Sequence, residues 1–367
     1  MANQPTMENM EMKKFFANKK VLITGHTGFK GSWLAHVLVR WGARVSGVGL
    51  RPPVRPNLFE ALQLKSRIRN HFSDIRNYKK LDEIFAREKP EIVIHLAAQA
   101  LVRESYSDPL RTVSVNSLGT AQVLHAIKES GCVRAAVIIT TDKVYENREQ
   151  DYAYRESDVL GGHDPYSASK AAADIIANSY IRSFFNPGEK KKGLKTLVAI
   201  ARTGIVIGGG DWAKDRIIPD LVRAIYEENK NIVIRNPNAV RPWQHVLEPL
   251  SGYLMLAQKL YSGRGDLVGA WNFGPERGNF VTVEKLIKKC HAFFGKGGYV
   301  IKPDASKHEA IYLKLDINKA KKILGWKPRL NLDETVTYSC DWYKTFYERP
   351  GDIRRFTDWQ INSFFYD

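Results

Sequence analysis

Cysteine is scarce in this chain: Cys132, Cys290 and Cys340 are the only three among 367 residues. They stand far apart without the spacing of a metal site, and an odd number argues against a disulfide framework. They are expected to be thiols in a reducing cytoplasm, and no metal site is expected. Long apolar runs are missing too. No stretch approaches the ~18 consecutive apolar residues of a membrane span, so no membrane partner is expected. Internal repeats and low-complexity tracts are absent, which excludes solenoid and collagen-like architectures. Residues Met1 to Ala17 carry Glu8, Glu11 and two lysines but no apolar core of a signal peptide, and read as a loose amino-terminal extension over 1–17.

Apolar sequence is plentiful, at 44% of the residues. That suffices for two domains, or for one large α/β domain with an appendage. The chain is organised around Val21-Leu-Ile-Thr-Gly25-His-Thr-Gly28-Phe-Lys-Gly31. The run from Lys20 to Thr24 reads as a buried parallel strand. It breaks into three evenly spaced glycines, then into a helical pattern with Trp33, Leu34, Val37, Leu38 and Trp41 on one face. The first glycine allows the tight turn, the second the close approach of a pyrophosphate, the third the packing of helix on strand. An anion would then sit on the free N–H groups of the helix N-terminus. Gly25, Thr27, Gly28, Phe29 and Gly31 are therefore the expected cradle of a dinucleotide.

Acidic residues are in deficit, 39 against 56 lysines and arginines, a formal net charge of +17. The basic residues are scattered, and the densest run, Lys190 to Lys192, falls in an expected loop. A site for two pyrophosphate-bearing ligands accounts for positive potential better than nucleic acid does, so nucleic acid is not an expected partner.

Strands and helices then alternate. Arg44 to Leu50 reads as the second strand, followed by Arg51, where an acidic residue would take ribose hydroxyls or an arginine a 2′-phosphate. NAD and NADP both remain open. A third strand ends near Phe72, with Asp74 and Ile75 as candidate adenine contacts. Helix Tyr78 to Glu88 and strand Glu91 to Leu96 follow. Ala97, Ala98 and Gln99 leave that strand where a nicotinamide ribose could approach. Pro109 to Gly131 reads as one long helix containing Asn116, and Ala135 to Ile139 as the fifth strand, delivering Thr141, Asp142 and Lys143. Asp164-Pro165 opens a helix bearing Tyr166 and Lys170, and Leu197 to Ile200 is the sixth strand. The expectation is a doubly wound parallel Rossmann-type sheet over 18–202, with a smaller, interrupted substrate domain over 203–367. The segment 268–276 is expected to return to the sheet.

Tyr166 and Lys170 stand four apart on one helix face, where an ammonium can lower the pKa of a phenol and make it a usable base. With the glycine turn, Thr141 and Asn116 in order, the chain resembles the extended short-chain dehydrogenase/reductase family from Lys20 to about Tyr347. Longer runs narrow the resemblance to CDP-glucose 4,6-dehydratases. They are Gly25-His-Thr-Gly-Phe-Lys-Gly-Ser-Trp33, His95-Leu-Ala-Ala-Gln-Ala-Leu-Val-Arg103, Gly161-Gly-His-Asp-Pro-Tyr-Ser167, Gly208-Gly-Gly-Asp-Trp212, Ile234-Arg-Asn-Pro237 and Arg241-Pro-Trp-Gln-His-Val-Leu-Glu-Pro-Leu-Ser-Gly252.

The resemblance implies a tightly bound nicotinamide regenerated in each cycle, with Asn116, Tyr166 and Lys170 beside it. It implies oxidation at carbon 4 of a nucleotide-linked hexose, loss of water across carbons 5 and 6, and return of hydride to carbon 6. Tyr166, with Lys170, would be the base at the 4-hydroxyl. Asp142 would protonate the departing 6-hydroxyl, and Lys143 would take the carbon 5 proton, given a depressed pKa. Arg103, Arg216, Ile234, Arg241 and Trp243 are the implied substrate contacts, and a homodimer or higher oligomer through the two long helices is implied as well. Two positions depart from the pattern: Ile205 replaces an expected Asn, and Arg51 replaces an acid. An epimerase or reductase of the same fold, and a non-catalytic dinucleotide sensor, are the alternatives; Asp142 and Lys143 together favour elimination.

Overall fold

In the computed structural model, residues 7–188, 196–303 and 312–366 are described. The Lys190–Lys192 run lies outside the described residues. Seven strands form one parallel sheet: β1 (Lys20–Thr24), β2 (Arg44–Gly49), β3 (Arg69–Phe72), β4 (Ile92–His95), β5 (Ala135–Ile139), β6 (Leu197–Thr203) and β7 (Gly269–Phe273). Their spatial order is β7-β6-β5-β4-β1-β2-β3. Because successive strands turn outward in opposite directions from β1 and β4, a crevice opens between those two at the carboxyl edge.

Alternate side chains enter opposite faces, as the period of a strand demands. Val21, Ile23, Ile92, Ile94 and Val137 meet the Phe29–Arg40 and Leu247–Tyr261 helices on one face. Leu22, Val93, Ala136, Ile138 and Val198 meet the Tyr78–Glu88, Gly119–Ser130 and Pro165–Ser183 helices on the other. The long helix read from Pro109 to Gly131 runs as Pro109–Val113, a π-helical turn at Ser114–Leu118 and Gly119–Ser130. Asp164 caps its helix as expected, accepting from the Ser167 N–H at 2.9 Å.

Two features bear on the expected organisation. Residues 7–16 of the expected loose extension form a helix, with Met12 and Phe16 fully buried. Phe16 packs on Trp41, which packs in turn on Phe365. Apolar residues at Met12 and Phe16 share one helix face, and that face has a core to bury into. The second feature concerns the expected boundary at residue 202. Besides β7, the Leu247–Tyr261 helix covers β5 and β6. The Ile353–Tyr366 helix returns to Phe29–Arg40, where Asp358 pairs with His36 and Arg40, each at 2.7 Å. The carboxy-terminal third is therefore woven into the sheet layer at three places.

A buried polar network pins the strands that carry the site. Arg202 at the end of β6 donates through Nε and Nη2 to the two carboxylate oxygens of Asp174, each at 2.8 Å. Its Nη1 reaches the Tyr145 hydroxyl at 2.9 Å, which donates to Asn272 of β7 at 2.7 Å. Thr140 Oγ1 also donates to Asp174. Removing one member of a buried ion pair strands the other, at about 3–5 kcal/mol. Asp174→Asn is expected to lose about 3 kcal/mol in urea unfolding, and a parental midpoint would show that the pair does not hold these strands.

Candidate active site

The glycine turn is built by contact distances. Gly25 has φ +75°, a conformation that side chains with a Cβ avoid, and a Cβ there would lie 2.7 Å from the Ala97 nitrogen. A Cβ at Gly31 would lie 2.1 Å from the Gly25 carbonyl oxygen. Gly28 is exposed and is the N-cap of the Phe29–Arg40 helix, with no side chain capping it. The first-turn N–H groups thus face the crevice beside β4, the arrangement that fits a pyrophosphate. Thr27 Oγ1 donates to the Leu50 carbonyl at 2.8 Å, tying the turn to the end of β2.

The outer cofactor candidates lie where β2, β3 and β4 end. The Arg51 guanidinium stacks over the Phe72 ring at 4.5 Å. Asp74 holds Arg76 through both carboxylate oxygens, which keeps its carboxyl below the usual range. The Ile75 side chain is buried and packs in the core beside Gly119. Ala97 and Ala98 are half-buried at the rim. Gln99 and Asn116 spend their polar atoms inside the fold. Asn116 accepts from the Gln99 N–H at 2.8 Å and donates to the Gln99 carbonyl at 3.0 Å and to Ser169 Oγ at 2.8 Å. Asn116 therefore joins the loop after β4 to the helix that carries Tyr166.

The catalytic candidates converge on a cavity of about 290 Å³ at the carboxyl edge of the sheet. Thr141, Asp142, Lys143 and Tyr166 line it, with Phe29 on the side of the glycine turn. Arg216, Ile234, Arg241 and Trp243 line its far side. Arg216 is held by Asp211 at 2.7 Å, and the Trp243 indole N–H donates to the Val281 carbonyl at 3.0 Å. Arg103 lies outside this wall, 4.0 Å from Asp215. Ile205, the departure from the expected Asn, contributes an apolar surface to the same wall.

Asp142 is 2% exposed. Its Oδ1 accepts from Thr141 Oγ1 at 3.0 Å, while Oδ2 has no hydrogen-bond partner among the described residues. A Cβ at Gly204 would stand 3.0 Å from Oδ2, so that glycine keeps the oxygen's side of the cavity open. Burial pushes the carboxyl up to about 6, against the pull of Lys143, Thr141, Lys30 and Arg241. A carboxylic acid is thus available close to neutrality.

Tyr166 differs from its expectation. Burial raises the phenol to about 12, and the cation opposing that shift is Arg216. Lys170 is buried and donates its ammonium to the Ile139 carbonyl at 2.7 Å. Four-residue spacing puts both side chains on one face, but the strand carbonyl captures the shorter reach.

Sequence reading missed Lys30, Asp211 and Gly204. Lys30 stands between two motif glycines and was read only for its backbone. Asp211 was visible only as part of a glycine-rich loop, and Gly204 only as a neighbour of Arg202.

Comparison with known proteins follows this geometry. Residues 22–338 match the family described as GDP-mannose 4,6 dehydratase. The chain is 47% identical over 335 residues to the CDP-glucose 4,6-dehydratase of Salmonella typhimurium (strain LT2), covering 91% of this chain and 93% of that protein. It is 28% identical to the dTDP-glucose 4,6-dehydratase of Streptomyces antibioticus, over 88% of this chain and 92% of that one. In fold it is similar to the dTDP-glucose 4,6-dehydratase of Bacillus anthracis in complex with NAD, at TM-score 0.74 and 22% identity, covering 90% of this chain and 97% of that one.

Asp142 makes stability depend on pH. The folded protein keeps its proton up to about pH 6, whereas the carboxyl of the unfolded chain titrates near its ordinary value of 3.8. Stability from this group therefore falls as pH rises through that window. Asp142→Asn is expected to gain on the order of 2 kcal/mol over the parent at about pH 8, with the gain gone below about pH 4. Thermal melts across pH measure this; a constant difference would refute it.

Proposed function

From its membership in the GDP-mannose 4,6-dehydratase family, to which this chain belongs, we propose that the chain is an NAD(P)-dependent nucleotide-sugar 4,6-dehydratase that converts CDP-glucose to CDP-4-keto-6-deoxyglucose. The observation that carries this reading is Asp142. It is a buried carboxyl whose proton affinity burial raises to about 6, flanked by Thr141 and Lys143 and sharing a cavity with Tyr166 at the mouth of the glycine turn. An epimerase or reductase needs a base and a cofactor, but no acid at this place.

The glycine turn would hold the cofactor pyrophosphate, with Thr27, Phe29, Ala97 and Ala98 around it and Arg51, Asp74 and Ile75 toward the adenosine end. Gln99 and Asn116 would act by shaping the rim. A bound nicotinamide would supply reversible hydride transfer between carbon 4 and carbon 6. Arg216 and Arg241 suit a diphosphate, because a guanidinium fork matches phosphate oxygens. Arg103, Ile234 and Trp243 would frame the rest of the nucleotide.

Tyr166 takes the proton of the 4-hydroxyl, helped by Arg216 and Lys170 once the cavity is filled. The resulting ketone acidifies the hydrogen on carbon 5. Lys143 takes that proton while Asp142 gives its own to the 6-hydroxyl; the carbon–oxygen bond breaks, a carbon–carbon double bond forms between carbons 5 and 6, water leaves, and Lys143 returns its proton to carbon 5 when carbon 6 is reduced. Both groups sit on the single turn Asp142–Val144, so acid and base reach adjacent carbons from one side.

The three cysteines are free thiols, which suits a cytoplasmic enzyme. The Pro109–Ser130 region shows Leu110, Val113 and Leu118 at 83%, 46% and 53% exposure, an apolar strip suited to a homodimer. Leu110→Glu with Leu118→Glu is expected to halve the mass seen by light scattering; an unchanged mass would remove this strip from any interface.

Incubation with a panel of nucleotide hexoses is expected to give the alkali-induced absorbance of a 4-keto-6-deoxy product with CDP-glucose. Asp142→Asn and Lys143→Met are expected to slow elimination by about 10²–10⁴-fold while oxidation at carbon 4 persists. Full turnover by either variant would remove that residue from the mechanism.

A further inference from the structure

The glycine turn does more than leave backbone N–H groups at the crevice. Lys30 is the second residue of the Phe29–Arg40 helix, and its side chain lines the same cavity as Asp142. Thr141, Asp142 and Lys143 arrive from the end of β5, so Lys30 approaches the carboxyl from a different wall. The groups acting on Lys30 are Arg216, Asp142, Lys170 and Asp211. Those acting on Asp142 are Lys143, the Thr141 hydroxyl, Lys30 and Arg241, with Tyr166 also in electrostatic contact. The carboxyl oxygen Oδ2 has no hydrogen-bond partner among the described residues, and Gly204 leaves its side of the cavity clear.

We propose that Lys30 is a positioning residue for the elimination: its ammonium, entering the cavity from the glycine turn, sets how readily Asp142 releases its proton. The proposal rests on Asp142 as the acid. A buried carboxyl with no cation nearby would hold its proton too tightly to deliver it, and one locked in a direct ion pair would have none to deliver. Lys30, together with Arg241, supplies compensating charge from outside the Asp142–Lys143 pair. Burial lowers Lys30 to about 7, so the two groups exchange influence within the range where the enzyme would work.

Carbon-13 NMR of the full chain, labelled at aspartate carboxyl carbons, reads this without turnover. The Asp142 resonance is the one that Asp142→Asn removes. Its titration midpoint is expected to rise by about one pH unit in Lys30→Met and to stay at the parental value in Lys30→Arg. Lys30→Gln gives the same reading if the methionine variant does not fold. An unchanged midpoint in Lys30→Met or Lys30→Gln overturns the proposal, and so does an equal rise in Lys30→Arg, since packing rather than charge would then be the cause. Failure of the underlying reading looks different: Asp142→Asn would retain full elimination whatever the titration shows.

Discussion

Everything at this site depends on how closely the first helix lies on the first strand. A carbon at Gly31 would be 2.1 Å from the Gly25 carbonyl oxygen, so only hydrogen fits. That contact brings the helix N-terminus to the mouth of the crevice between β1 and β4 instead of several ångströms behind it. Phe29 and Lys30 then face the cavity, and Gly25 lies against Ala97 at the start of the loop after β4. His95 extends the constraint. Its ring nitrogens meet Thr24 at 2.6 Å and Thr120 at 2.9 Å, joining β1, β4 and the long helix behind the site. The position of the catalytic groups is thus inherited from packing that involves no catalytic residue.

The second determinant is charge held in a confined space. Lys30, Lys143, Arg216, Arg235 and Arg241 share the cavity wall with Asp142, Asp211, Asp215 and Asp220, so cations and carboxyls are interleaved where a diphosphate is proposed to lie. Within that field Asp142 still has a raised proton affinity, because burial outweighs the cations. An unpartnered carboxyl oxygen costs stability, and such a cost is common where a group must be ready to react. Nearby, the Arg202–Asp174 pair shows the opposite choice, with both carboxylate oxygens engaged by the guanidinium and the strands held fast.

Much of this was legible in the residues. Short apolar runs, the glycine spacing and the Asp164-Pro165 start specify strand, turn and helix by local rules that act within a few residues. The convergence of Thr141, Asp142, Lys143 and Tyr166 followed from strand ends lying on one edge of a parallel sheet. What was not legible depends on contacts distant in sequence. The helix at residues 7–16 is held because Trp41, itself backed by Phe365, receives Phe16, and a separation of 25 residues to the one and a far longer one to the other leave no local trace. Lys170 answers to the Ile139 carbonyl, and nothing in the Tyr166 to Lys170 spacing announces that competitor. Lys30 was hidden by its own motif, since attention to glycines treats the residues between them as spacers.

Ile205 shows how a departure from a family pattern acquires physical meaning. An amide there could hydrogen-bond into the cavity; isoleucine cannot, and it follows Gly204, the residue whose missing side chain clears Asp142 Oδ2. The wall beside the acid is therefore apolar on one side and empty on the other. Water or an amide at that place would solvate the carboxylate and draw its pKa back toward the ordinary value. On the proposed assignment of Asp142 as the acid, an apolar neighbour favours retention of its proton, and recognition of the polar substrate falls to Arg216 and Arg241. Loss of one polar contact and sharpening of the acid are then two consequences of the same side chain.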